Sequence, residues 1–146
     1  MSDPVLGSIP VGTSLAPLLA VRGGARAVAF YRAALGARAV YRVDAPDGAV
    51  VARLAVGDAA GGAEFWVADE APEHGAASPE TLGGASARLV LTVSDPDAAV
   101  ARAVAAGARE VAPVEEAHGW RLGRVVDPFG HTWEIGRPLP DTAAAR

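Results

Sequence analysis

Apolar and polar positions along the first half of the chain predict one strand, one helix and then three strands. The apolar run over 14–21 is typical of a short buried strand, and the apolar spacing after it is helical up to Gly36, a common helix stop. Asp47-Gly48 predicts a hairpin turn. The five elements are predicted over 14–21, 25–35, 37–43, 49–56 and 63–68.

The second half of the chain repeats this order. Its elements are predicted over 87–93, 98–106, 109–113, 121–126 and 131–136. Val21 matches Val93 and Val28 matches Val100, each pair 72 residues apart. Ser94-Asp95-Pro96-Asp97 marks the start of the second helix, with Pro where its missing N–H costs nothing. Neither βαβββ copy can bury its sheet alone, so the copies must pair within one chain or across a dimer.

The predicted fold class is therefore α+β, built from two βαβββ modules. The stretch rich in Gly and Pro after the fourth strand predicts a long connecting loop. The organisation we expect is an N-terminal lead (1–13), a first module (14–70), a loop linker (71–86), a second module (87–138) and a C-terminal tail (139–146).

Composition narrows the class of protein further. The 146 residues, 51% of them hydrophobic, are enough for one globular domain. There is no cysteine and no lysine, which excludes disulfides, thiolate metal sites and a Schiff-base lysine. The net charge of −4 lacks the basic footprint of a nucleic-acid binder. The absence of a long apolar run and of a signal-peptide pattern predicts a cytoplasmic protein without a membrane span.

Three segments in matching order resemble the vicinal oxygen chelate superfamily, which contains glyoxalase I, bleomycin-resistance proteins and extradiol dioxygenases. They are 28–37, 93–100 with 105–108, and 119–121 with 127–134. The last is the most specific and is closest to the glyoxalase/bleomycin-resistance branch. The resemblance covers about 14–138 and implies that the two modules form a curved mixed sheet around a cleft, with the helices outside.

Metal-dependent members of that superfamily use the start of the first strand and the end of the fourth strand of each module, usually with His or Gln and with Glu. Glu134 matches a strand-end position, and Glu64 or a neighbour is its counterpart in the first module. The strand-start positions fall at Ala16 and Arg88, which cannot ligate a metal. The resemblance therefore implies a site without a metal, in which Arg88 could neutralise the carboxylates. If one divalent ion does bind, Glu134 and Glu64 are the expected ligands.

Glu134 is the strongest candidate for chemistry. Strand alternation places it on the face opposite Trp133 and Ile135, so it should face the cleft. It could act there as a general base, or it could form a structural salt bridge with Arg88 or Arg53.

The remaining candidates would bind a ligand. Trp66 and Trp120 could form a flat apolar wall, or they could pack in a dimer interface. Arg88, which shares a face with Thr92, could hold an anionic or carbonyl group. Further candidates are His118, in a loop expected at the cleft mouth, and Glu64, which could equally be a solvated strand-edge carboxylate.

The first hypothesis is a homodimeric, metal-free protein that binds an aromatic or amphipathic small molecule, such as an antibiotic or a secondary metabolite. The second is an enzyme, namely a lyase, isomerase or dioxygenase that uses Glu134 with a divalent ion or as a metal-free base. A third is an interaction module with an empty cleft. The sequence does not name the ligand, and it leaves open whether the modules pair within one chain or between two chains.

Overall fold

Each half of the chain folds as one βαβββ module in the computed structural model, which describes residues 12–58 and 62–140. The first module comprises β1 (Leu18–Val21), α1 (Gly24–Leu35), β2 (Arg38–Asp44), β3 (Val50–Val56) and β4 (Ala63–Asp69). The second comprises β5 (Arg88–Thr92), α3 (Pro96–Ala106), β6 (Arg109–Ala117), β7 (Trp120–Val126) and β8 (Thr132–Pro138). Residues 1–11 of the predicted lead and 141–146 of the predicted tail lie outside the described residues.

Each module contains one four-stranded mixed sheet. The strand orders are β1-β4-β3-β2 in sheet 1 and β5-β8-β7-β6 in sheet 2. β1 is parallel to β4 and β5 is parallel to β8, whereas the other neighbouring strands are antiparallel. No hydrogen-bonded ladder joins the two sheets within the described part of the chain. The predicted α+β fold with paired βαβββ modules is confirmed.

The two long helices begin and end where local chemistry directs them. Asp95 caps α3 by accepting a hydrogen bond from the N–H of Ala98 (3.1 Å). Gly36 ends α1 in the left-handed region, with φ 67°, which a residue with a Cβ rarely adopts. The helices pack against each other, and Arg102 Nε donates to the carbonyl of Ala33 (2.8 Å). No helix in the described ranges has the length and apolar character needed to cross a bilayer.

The linker between the modules contains short helical turns, although the sequence predicted only a loop there. Pro72–His74 forms a 3₁₀ turn, and Pro79–Leu82 forms the one-turn helix α2. The Glu70 carboxylate anchors the linker by accepting hydrogen bonds from the Ser78 N–H (2.8 Å) and the Thr81 hydroxyl (2.7 Å). These bonds, led by the one from the Ser78 N–H, lower the pKa of Glu70 to about 2.

One hydrophobic core joins the two modules. The buried ring of Tyr31 on α1 lies 5.2 Å from the Phe65 ring of sheet 1 and 5.7 Å from the Trp133 ring of sheet 2. Phe65 and Trp133 also contact each other, with ring centroids 5.3 Å apart. We call the face of each sheet that carries these rings its inner face and the opposite side its open face. Both inner faces enclose the same core, and the open faces lie on the other side of each sheet.

Candidate functional site

A carboxylate shared by two arginines lies on the open face of sheet 2. The side chain of Glu134 on β8 is only 16% exposed, and its Oε1 accepts from Arg88 Nη1 (2.9 Å) and Arg124 Nε (3.2 Å). The register explains this grouping, because Arg124 is directly opposite Glu134 and Val90 of β5 is its partner on the other side. The predicted salt bridge between Glu134 and Arg88 is therefore present.

Arg124 was not among the residues singled out from the sequence. The signal was available, because the Asp127–Gly130 turn joins β7 to β8 and fixes their register. Counting outward from that turn places Arg124 opposite Glu134. Two guanidinium groups facing one carboxylate leave this patch with a net positive charge.

Thr92 and Trp120 share the open face of sheet 2 with Glu134. Thr92 pairs with Gly136, and Trp120 pairs with Pro138 at the far end of β8. His118 is exposed in the turn between β6 and β7, in the left-handed region with φ 54°. That turn places His118 at the end of the sheet where β7 begins with Trp120, and Trp120 is four positions from Arg124 along that strand.

The open face of sheet 1 carries the other predicted residues. Glu64 forms an ion pair with Arg53, so Arg53 is not a partner of Glu134. The Arg53 guanidinium lies 5.5 Å from the centroid of the Trp66 ring, and Tyr41 packs edge-on against the same ring at 5.7 Å. Trp66 and Trp120 therefore lie on different sheets, and one chain does not bring them together into a single wall.

The strand register also changes the position equivalent to Glu134 in the first module. The helices α1 and α3 start 72 residues apart, as the repeat predicted, and the same offset relates Leu18 to Val90. Leu18 pairs with Trp66, whereas Val90 pairs with Glu134. Trp66 is thus the structural counterpart of Glu134, and Glu64 lies two residues earlier on β4. Loop lengths differ between the modules, which is why sequence spacing alone gave Glu64.

A cavity of about 770 Å³ lies between β1 and β5. Its wall is largely apolar and includes Leu18, Leu89 and Trp133, while the linker residues around Pro79 cover one side. β1 and β5 each pair with only one strand in the described structure, so both present a free edge to this space. Arg88 and Glu64 also line the cavity, which therefore adjoins both open faces. His131, another lining residue, has its Nε2 3.0 Å from the carbonyl oxygen of Ala20 and helps to join the modules.

These residues do not fit the metal set used by metal-dependent members of the superfamily that the sequence resembles. Guanidinium groups donate hydrogen bonds and cannot ligate, and two of them already hold Oε1 of Glu134. Within residues 12–58 and 62–140, no three His, Cys, Asp or Glu side chains form a group that could hold an ion. Glu64 is paired with Arg53 on the other sheet and does not complete such a group.

Comparisons with known proteins agree with the fold. Residues 14–135 match the Glyoxalase/Bleomycin resistance protein/Dioxygenase superfamily. An uncharacterized protein of Mycobacterium bovis is 37% identical over 137 residues, which cover 90% of this chain and 88% of that protein. The crystal structure of TioX from Micromonospora sp. ML1 is 30% identical, with a TM-score of 0.64 over 88% of this chain and all of that chain.

The fold extends to a more distant structure as well. The fosfomycin resistance protein FosX of Listeria monocytogenes, solved with Mn(II) and sulfate, is 12% identical, with a TM-score of 0.65 over 92% of this chain and 99% of that chain. The two modules and the match over 14–135 show that this chain belongs to the glyoxalase/bleomycin resistance/dioxygenase superfamily.

Proposed function

We propose that this chain is a small-molecule binding protein whose site works without a metal ion. The observation that carries this proposal is the pair of guanidinium groups on Glu134. Arg88 occupies the strand-start position where metal-dependent relatives place a ligand, and it neutralises the carboxylate that would otherwise attract a cation. The arrangement supplies fixed hydrogen-bond donors, which suit recognition of a ligand.

The ligand we propose is a flat or amphipathic molecule, in the class of antibiotics and secondary metabolites. Trp66 and Tyr41 offer aromatic surface on sheet 1, and Trp120 offers it on sheet 2. The cavity volume of about 770 Å³ falls within the roughly 300–1,000 Å³ typical of small-molecule pockets.

A homodimer would complete the cleft. The open faces carry exposed apolar side chains, such as Tyr41 on sheet 1 and Val90 on sheet 2, so a second copy would supply a sheet to cover each of them. Exposed apolar side chains on sheet 1 support this arrangement, because Tyr41, Val43 and Val51 are each at least 39% exposed on adjoining strands.

The first experiment is elemental analysis of the purified protein for zinc, nickel, iron, manganese and magnesium, before and after chelation. Planar aromatic compounds are then screened by tryptophan fluorescence with EDTA present. We expect no stoichiometric metal and ligand binding that chelation leaves unchanged. Leu18→Ser, a change in the cavity wall, should weaken binding, whereas Val104→Ala, an exposed change on α3, should not. A stoichiometric ion whose removal abolishes binding or turnover would overturn the proposal in favour of a metal-dependent enzyme.

A further inference from the structure

The wall of the cavity between β1 and β5 is largely apolar, and its charged or titratable lining residues are Glu64, Arg88 and His131. Leu18, Leu89 and Phe65 contribute to the wall together with the aliphatic linker residues. Leu18 and Val90 are 55% and 63% exposed, so large apolar side chains face this space without a partner from the described chain. A solvated apolar wall gains stability when an apolar body displaces its water.

Arg88 is the charged side chain with spare capacity at this cavity. It is 56% exposed, and one of its donors, Nη1, bonds to Glu134. A guanidinium has five N–H donors, so donors of Arg88 remain for a further acceptor. Arg124 also binds Glu134, and it remains to balance that carboxylate when Arg88 turns to a ligand.

The other charged groups around the cavity do not cancel this positive charge. Glu64 lines the opposite side, but its carboxylate is paired with Arg53. His131 is engaged with the carbonyl oxygen of Ala20. The sum over the two clusters, Arg53 with Glu64 and Arg88 with Arg124 and Glu134, is one positive charge, located at Arg88 and Arg124. This local sign is opposite to the net charge of −4 on the whole chain.

We propose that the ligand is an amphipathic anion, with its carboxylate, sulfonate or phosphate group bound by Arg88 and its apolar body in the cavity between β1 and β5. The inference rests on the proposed binding function and specifies the class of ligand. The net acidity of the chain would favour a cation, but short-range contact with a cluster that carries one excess positive charge decides in a site of this size, because salt screens charges that lie more than about 8 Å away.

A matched pair of fluorescent probes tests the anionic group. 1-Anilinonaphthalene-8-sulfonate and N-phenyl-1-naphthylamine share the same aromatic body, and only the first is charged. We expect the sulfonate to bind at one site per chain and about tenfold more tightly than the neutral probe, as one charge-assisted hydrogen bond predicts. Arg88→Met should remove this difference and leave the affinity for the neutral probe unchanged. Arg42→Met, which removes an exposed arginine of sheet 1 outside the cavity, is the matched control.

The apolar body has its own test. Leu18→Ser should weaken both probes by the same factor, because it changes the wall and leaves Arg88 in place. Circular dichroism and urea unfolding establish that each variant is folded. If Arg88→Met is not folded, Arg88→Gln removes the charge and keeps a polar side chain, and it should likewise remove the difference between the probes. Equal affinities for the two probes, or a sulfonate affinity that Arg88→Met does not change, would overturn the anion inference alone. Failure of both probes to saturate at one site per chain would count against the binding function as well.

Discussion

The hydrogen bond between Tyr31 and Asp127 offers a direct test of how the modules are held together. Tyr31 on α1 is fully buried, and its hydroxyl donates to Oδ2 of Asp127, which is 4% exposed in the second module. Three more donors satisfy this carboxylate, namely Trp133 Nε1 (2.9 Å) and the N–H groups of Phe129 (2.9 Å) and His131 (3.0 Å). Tyr31→Phe removes one donor of four, and with it the side-chain hydrogen bond from α1 to the second module.

The expected loss follows from the charge of the acceptor. A hydrogen bond to a charged group contributes about 1.5–3 kcal/mol, so the free energy of unfolding should fall by that amount. Asp127 keeps three donors, so the larger cost of leaving a buried charge unpaired does not arise. For a chain of this size the melting temperature should fall by roughly 3–12 °C.

Urea unfolding followed by tryptophan fluorescence measures this change, since Trp133 is itself part of the network. Tyr41→Phe is the matched control, because Tyr41 is 52% exposed and should lose no more than about 0.5 kcal/mol. If Tyr31→Phe unfolds within about 0.5 kcal/mol of the unchanged protein, the reasoning is refuted, and packing together with the hydrogen bonds of Arg102 and His131 holds the modules together.

Three further predictions concern pH and packing. Burial raises the pKa of Tyr31 above its ordinary 10.0, so unfolding above pH 10 should release a proton. Stability should therefore fall as the pH rises there, and urea titrations of Tyr31→Phe should lack this fall. Hydrogen bonds lower the pKa of Glu70 from 4.5 to about 2, so stability should decline as the pH falls through that interval. In acid titrations, Glu70→Gln should flatten this decline, whereas Glu73→Gln, a change at an exposed residue, should not. A Cβ on Gly123 would lie 2.7 Å from a valine methyl of β6, so Gly123→Ala should cost about 1–3 kcal/mol in urea unfolding, whereas Gly84→Ala, with open space around it, should not.

Local chemistry explains why the order of elements could be predicted from the sequence. Gly36 and Gly107 end the two long helices, and Pro96 begins the second one, as their backbone preferences require. The helix α2 was missed because four residues give no periodicity. Its start signal was nevertheless present, since Ser78 precedes Pro79 and accepts a hydrogen bond from the N–H of Thr81.

The site was harder to predict because it depends on register and on packing between modules. Alternation along β8 correctly placed Glu134 on the face away from the buried Trp133. A shift of one residue would have placed the carboxylate in the core. The partner of Glu64 depends on how β3 pairs with β4, and the six-residue connection 57–62, although rich in glycine, is too long to fix that register from the sequence. The separation of Trp66 from Trp120 depends on which faces share the core, and alternation within a strand contains no information about that.

An arginine at the strand start where metal-dependent members of the superfamily place a ligand bears on what the proposed site could do. A metal ion offers an open coordination position and can activate a bound water, whereas a guanidinium offers only hydrogen-bond donors and a fixed positive charge. Donors of that kind suit recognition of an anion with defined geometry. On sheet 2, Arg124 would still balance the charge of Glu134 while Arg88 binds a ligand, so binding would leave no buried charge unpaired. This pair of arginines is therefore the reason we propose binding of an anionic molecule, rather than metal-dependent chemistry, at this site.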